Sequence, residues 1–99
     1  MTPETQHVVS LMAKASGETV EDITGKGRRR PLPCLRWLIG RELMDRGYDM
    51  TYAARQLGID RVTLLHGLRE IKQMGIDKRW APEVTIAGEF RALLDSETV

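Results

Sequence analysis

Apolar residues recur at helical spacing along most of the chain, and the pattern predicts an all-α domain of about six helices. It is clearest over residues 52–74, YAARQLGIDRVTLLHGLREIKQM. Tyr52, Ala53, Ala54 and Leu57 give a short helix with one apolar face. Gly58 is expected to end it, because glycine takes a left-handed backbone without steric cost. Asp60 stands where an N-cap is wanted, and Leu64, Leu65, Leu68 and Ile71 then form a stripe. The small Ala53 and Ala54 let the two helices cross closely. With Thr51 as the expected cap of the first helix, residues 51–74 have the outline of a helix-turn-helix. Gly75 is expected to stop its second helix.

The flanking segments read in the same way. Thr2-Pro3-Glu4 is a helix start: a capping hydroxyl, a first-turn proline, and an acid near the positive end of the dipole. Val8, Val9, Leu11 and Met12 supply its apolar side as far as Ser16 and Gly17. Thr19, Val20, Asp22 and Ile23 mark a second short helix, with Val20 and Ile23 facing in and Asp22 completing a capping-box pattern with Thr19. Residues 25–31, GKGRRRP, break the pattern, because two glycines and the prolines Pro31 and Pro33 hold the chain out of helical geometry. A longer helix follows, from Leu32 or Cys34 to Arg46, with Leu35, Leu38, Ile39 and Leu43 inside and Gly47 closing it. Trp37 is expected at the core boundary. Trp80 is expected to pin a polar connector running from Asp77 to Pro82. Ile86, Phe90, Leu93 and Leu94 form the inner face of a last helix over residues 85–94, and the tail after Asp95 is expected to fray.

Composition narrows the function classes. Ninety-nine residues suffice for one domain with a modest core, residues 1–99. No apolar run approaches the length of a membrane span, and no leader is apparent, so no membrane partner is expected. Cys34 is the single cysteine, which excludes an internal disulfide and makes the reducing cytoplasm the default location. It is expected to be a small buried apolar residue, since no paired base accompanies it. Cys34, His7 and His66 lie too far apart to suggest a local metal motif, and no metal or cofactor is expected. With no nucleophile–base set, paired-carboxylate constellation or Walker-type loop, an enzyme is the least favoured class.

The formal net charge of +1 is uninformative until its distribution is read. Residues 1–25 carry a net −3, residues 26–80 a net +7 and residues 81–99 a net −3. The basic charge lies on the segment with the basic loop and the helix-turn-helix, and a local patch governs binding to a polyanion. On the second helix, Val62, Thr63, His66 and Arg69 lie opposite the apolar stripe, with Arg61 at the tip. These residues suit base and phosphate contacts in a DNA major groove. Arg28, Arg29 and Arg30 repel one another, and phosphates or a narrow minor groove would relieve them. Arg36 and Arg41 would reach phosphate if their face adjoins that loop. The plain alternatives are a solvated charge run and an ordinary helical hairpin.

The order of these features resembles the C-terminal DNA-binding domain, domain IV, of the bacterial replication initiator DnaA. The resemblance runs over nearly the whole chain: TVEDITGK at the end of the first part, the loop GKGRRR, the long helix LRWLIGREL, and LLHGLREI in the recognition helix. That family's motif reads Gly-Gly-Arg-Asp-His-Thr-Thr-Val before a Leu-His pair. Anchored on Leu65-His66, Gly58, Asp60, Thr63 and His66 match it. Leu57, Ile59, Arg61 and Val62 depart from it. The resemblance implies a Trp-repressor-like arrangement of helices that binds double-stranded DNA. Carried over by position, Asp60 would cap the helix and accept from a cytosine amino group. Arg61 would meet guanine or a phosphate, Val62 a thymine methyl, and Thr63 a phosphate at the helix N-terminus. The basic loop, with Arg28, Arg29 and Arg30, would enter the minor groove, while Lys26 and Arg36 would hold the backbone. Glu70 would repel phosphate, so only the first two turns of the recognition helix are expected in the groove.

Two other readings compete. The four departures motivate a protein-interaction adaptor on a DnaA-like scaffold, recruiting a replication or regulatory partner. The segment AARQLGIDRVTL also resembles a helix-turn-helix of the Fis kind, which would bind a palindrome as a symmetric dimer. The DnaA-like reading predicts a monomer.

Overall fold

A computed structural model describes residues 1–74 and 78–97. Within them the chain is all-helical, with six α-helices and no strand. They are α1 (Pro3–Ser16), α2 (Val20–Thr24), α3 (Leu32–Asp45), α4 (Met50–Leu57), α5 (Arg61–Gln73) and α6 (Ala81–Ser96). A short 3-10 turn over Lys78–Trp80 leads into α6.

The helix ends follow from local chemistry. Thr2 caps α1 by accepting from the Thr5 amide, and Thr19 caps α2 by accepting from the Asp22 amide. Gly58 has φ +68°, the left-handed value that lets α4 stop and the chain turn at once into α5. The cap of α4 is Asp49, not Thr51: its carboxylate accepts from the Tyr52 amide at 2.8 Å and the helix begins at Met50. The last helix starts at Ala81 rather than at residue 85. Pro82 sits in its first turn, where the missing amide costs nothing, so the expected connector is already helix there. Val20 faces solvent rather than the core, while Ile23 is fully buried. The expected stop at Gly75, the connector's start at Asp77 and the end of the tail at Thr98 and Val99 lie outside the described residues.

α3 is the hub. It packs against α1, α2, α4, α5 and α6, while α1 also meets α2 and α6, and α4 meets α5. Leu35, Leu38, Ile39 and Leu43 of α3 are fully buried, as their spacing predicts. Val8, Val9 and Met12 of α1, Ala53, Ala54 and Leu57 of α4, Leu64 and Ile71 of α5, and Phe90 and Leu94 of α6 close around them. On α5 the stripe is centred on Leu64, Gly67 and Ile71, and Leu65 and Leu68 are only half-buried. The reason is the Trp37 indole of α3, which lies against Gly67. A Cβ there would stand 2.2 Å from the ring. Trp37 also meets Trp80 edge-on at 6.1 Å between centroids.

On one side, ion pairs tie the helices together. Arg46 bridges Glu4 of α1 at 3.0 Å and Glu42 of α3 at 2.8 Å, and Arg91 of α6 reaches Glu42 at 3.0 Å. Tyr48 donates to Glu4 and stacks on Tyr52. The Tyr48 hydroxyl, then Arg46, holds the Glu4 carboxyl below its ordinary range.

The seat of α5 on α3 generates a prediction. Gly67→Ala should destabilise the protein by about 1–3 kcal/mol through overpacking against Trp37, outweighing a helix-propensity gain of up to ~1 kcal/mol. Urea denaturation measures it, and a variant as stable as the parent would contradict the packing of the indole on α5.

Candidate nucleic-acid interface

Residues 25–31 form an irregular loop, as predicted, and one buried side chain shapes it. Arg36, expected to face a phosphate, is only 5% exposed. Its guanidinium donates to three main-chain carbonyls: Nε to Ile23 at 2.8 Å, Nη1 to Gly27 at 2.7 Å and Nη2 to Asp22 at 3.0 Å. Two of these belong to the last turn of α2, the end with negative partial charge, where the Asp22 carbonyl also accepts from the Gly25 amide at 3.4 Å. The third belongs to the loop. Burial pushes the Arg36 pKa down, but a guanidinium stays charged at any physiological pH. Arg36 is therefore a clamp that fixes α2 and the loop to α3. It does not face outward as a phosphate contact requires.

The other loop cations divide into two groups. Lys26 and Arg28 are exposed and have no hydrogen-bond or ion-pair partner among the described residues. Arg29 and Arg30 are engaged within the protein. Arg29 meets Glu18 at 2.7 Å through Nη2 and at 3.3 Å through Nη1. This contact holds the Glu18 carboxyl below its ordinary range, and Glu18 in turn raises Arg29. Arg30 donates twice to Glu83 of α6, at 2.9 and 2.8 Å, and once to the Arg79 carbonyl. Its guanidinium also lies over Trp80 at 5.4 Å. Glu83 is 1% exposed, so Arg30 is the counter-charge of a buried carboxylate. Removing it would strand that charge in the core.

The α4–turn–α5 segment faces the same region. Asp60 has the extended backbone of an N-cap, but its carboxylate makes no capping hydrogen bond. That corrects the expectation that its side chain caps α5. The carboxylate and the first-turn amides of α5 are left without each other as partners. Arg61, Thr63 and His66 are exposed, and Val62 is 58% exposed, an apolar side chain held out of the core. Arg61, Thr63 and His66 have no side-chain partner among the described residues.

A groove of about 480 Å³ joins the two segments. Lys26 and Arg28 line it on the loop side, and Asp60 and Thr63 on the α5 side, over a floor that includes Pro33, Trp37 and Ile59. Of the residues singled out from sequence, the structure thus gathers Lys26, Arg28, Asp60 and Thr63 at one groove, with Arg36 beneath it. It leaves Arg61, Val62 and His66 on the exposed face of α5 and diverts Arg29 and Arg30 to internal acids. Sequence reasoning missed Glu18 and Glu83. For Glu83 a signal existed: it lies three residues before Ile86 and seven before Phe90, on the inner stripe of α6.

Cys34 is buried, and burial, helped by the negative charge of Glu83, pushes its thiol up to about 12. Among the described residues no three His, Cys, Asp or Glu side chains gather to hold a metal ion, and no helix is long and apolar enough to cross a membrane. Neither family models, curated proteins nor solved structures offer a match to this chain.

The clamp and the free cation should separate cleanly by mutation. Arg36→Ala strips charged hydrogen bonds from three carbonyls, that of Ile23 buried, and should cost about 2–4 kcal/mol. Arg28→Ala should leave the urea midpoint nearly unchanged. A surface-like response of Arg36→Ala would contradict the clamp.

Proposed function

We propose that this protein binds double-stranded DNA sequence-selectively, as a monomer, through the first two turns of α5 in the major groove and the 25–31 loop beside it. The observation that carries this reading is the shared groove: unpaired Lys26 and Arg28 stand across from Asp60 and Thr63 at the start of α5. A helix N-terminus with free amides and nearby cations suits a phosphate. The outward residues of α5 suit base edges. Arg61 reaches guanine or an adjoining phosphate, Val62 packs on a thymine methyl, and the uncapped Asp60 accepts from a cytosine amino group. The resemblance to DnaA domain IV supports the same docking, with a target sequence altered by Arg61 and Val62. A role in replication initiation or its regulation rests on that resemblance.

One observation favours the adaptor reading instead: Arg29 and Arg30 are taken up by Glu18 and Glu83, which thins the basic loop. DNA binding separates the two. Fluorescence anisotropy with a DnaA-type box duplex and a scrambled duplex, at several salt concentrations, should give salt-dependent binding that prefers one sequence. The adaptor predicts no binding above background at low salt. Arg61→Ala should cost about 1–3 kcal/mol and relax sequence preference if Arg61 reads a base. Uniform weakening across sequences would place it on a phosphate.

A further inference from the structure

The two internal arginine–carboxylate pairs of the loop differ in one respect that bears on DNA affinity. Glu83 is buried, so its pair with Arg30 cannot open without leaving a charge in the core. Glu18 lies in the α1–α2 connection, outside any helix, and its side chain is 18% exposed while that of Arg29 is 59% exposed. Arg29 can swing out of this pair into water and leave a partly exposed carboxylate, at a smaller cost than opening the buried Glu83 pair. Asp22 stands 3.9 Å from the same guanidinium, so Arg29 is surrounded by acid. A guanidinium binds carboxylate and phosphate in the same bidentate manner, and the two anions compete for it.

We propose that Glu18 sets the affinity of this protein for DNA by occupying the phosphate-binding face of Arg29, so that docking must exchange the Glu18 carboxylate for a backbone phosphate. The inference rests on the DNA-binding reading above. In the free protein the loop offers Lys26 and Arg28 as unpaired cations and holds Arg29 in reserve. The consequence is a brake: part of the attraction between Arg29 and phosphate is spent on displacing Glu18. Neutralising Glu18 without changing its shape releases the brake and adds one effective phosphate contact.

The test is duplex binding by anisotropy between about 50 and 200 mM salt, for the parent, Glu18→Gln, Arg29→Ala and the double variant. Glu21→Gln serves as a charge-matched neighbour, since Glu21 is exposed on α2. Circular dichroism and thermal melts confirm that each variant is folded. Glu18→Gln should tighten binding about three- to tenfold at the low-salt end and steepen the salt slope by about one unit. The gain should vanish when Arg29 is already Ala, and Glu21→Gln should change affinity less than about twofold. A gain that persists without Arg29, or that Glu21→Gln matches, would reduce the effect to overall charge and overturn the proposal. An unchanged Glu18→Gln protein alongside a parent that binds DNA would overturn it while leaving the DNA-binding reading intact. No binding by the parent or by any variant would overturn both.

Discussion

The arrangement of this domain depends on one buried guanidinium. Arg36 projects from the hub helix α3 into the end of α2 and the start of the basic loop, where it meets three carbonyls at 2.7–3.0 Å. Short helices such as α2 are marginal alone, and their final carbonyls need partners. A permanently charged, forked donor satisfies several at once and offsets the negative end of the helix. Because the same group also holds Gly27, the loop is fixed against α3, on which α5 is seated through Trp37 and Gly67. Loop and α5 therefore meet at a common groove through a common support.

Charge follows a similar logic. The sequence places acids at both ends and cations in the middle, and folding pairs much of the one with the other: Arg29 with Glu18, Arg30 with Glu83 and Arg46 with Glu4. The net +7 of the middle segment thus overstates its attraction for a polyanion. What survives is smaller: Lys26 and Arg28 on the loop, Arg41 on α3, Arg55 on α4, and Arg61, Arg69 and Lys72 on α5 have no hydrogen-bond or ion-pair partner among the described residues. Binding energy from phosphate contacts depends on such unpaired cations rather than on the total.

The parts of the fold legible in the sequence were those written in local chemistry. Thr2 with Pro3, Thr19, Gly58 and the apolar spacing of α3 each act within a turn or two of chain, and each appears where expected. Asp49 displaced Thr51 as a cap because both are competent and stand two residues apart, a choice that spacing does not resolve. The buried charges were harder. Arg36 lies between Leu32 and Ile39 at helical spacing, and Glu83 lies on the stripe of Ile86 and Phe90. A charged residue inside an apolar stripe marks a buried ion that needs a partner. The partners, carbonyls of another helix and an arginine fifty-three residues away, exist only once the chain is folded. For the candidate site the same limit applied: the residue types were readable, but which arginines remain free was not.

On the proposed DNA-binding reading, the basic loop and the start of α5 act as one surface. Its most direct test is a heteronuclear NMR titration of the labelled protein with a short duplex. Amides of Lys26 to Arg28 and of Arg61 to His66 should shift together, saturating at the same DNA concentration, while those of α1 and the outer face of α6 stay in place. Shifts confined to α1 and α6, or loop and α5 signals that respond at different concentrations, would contradict it.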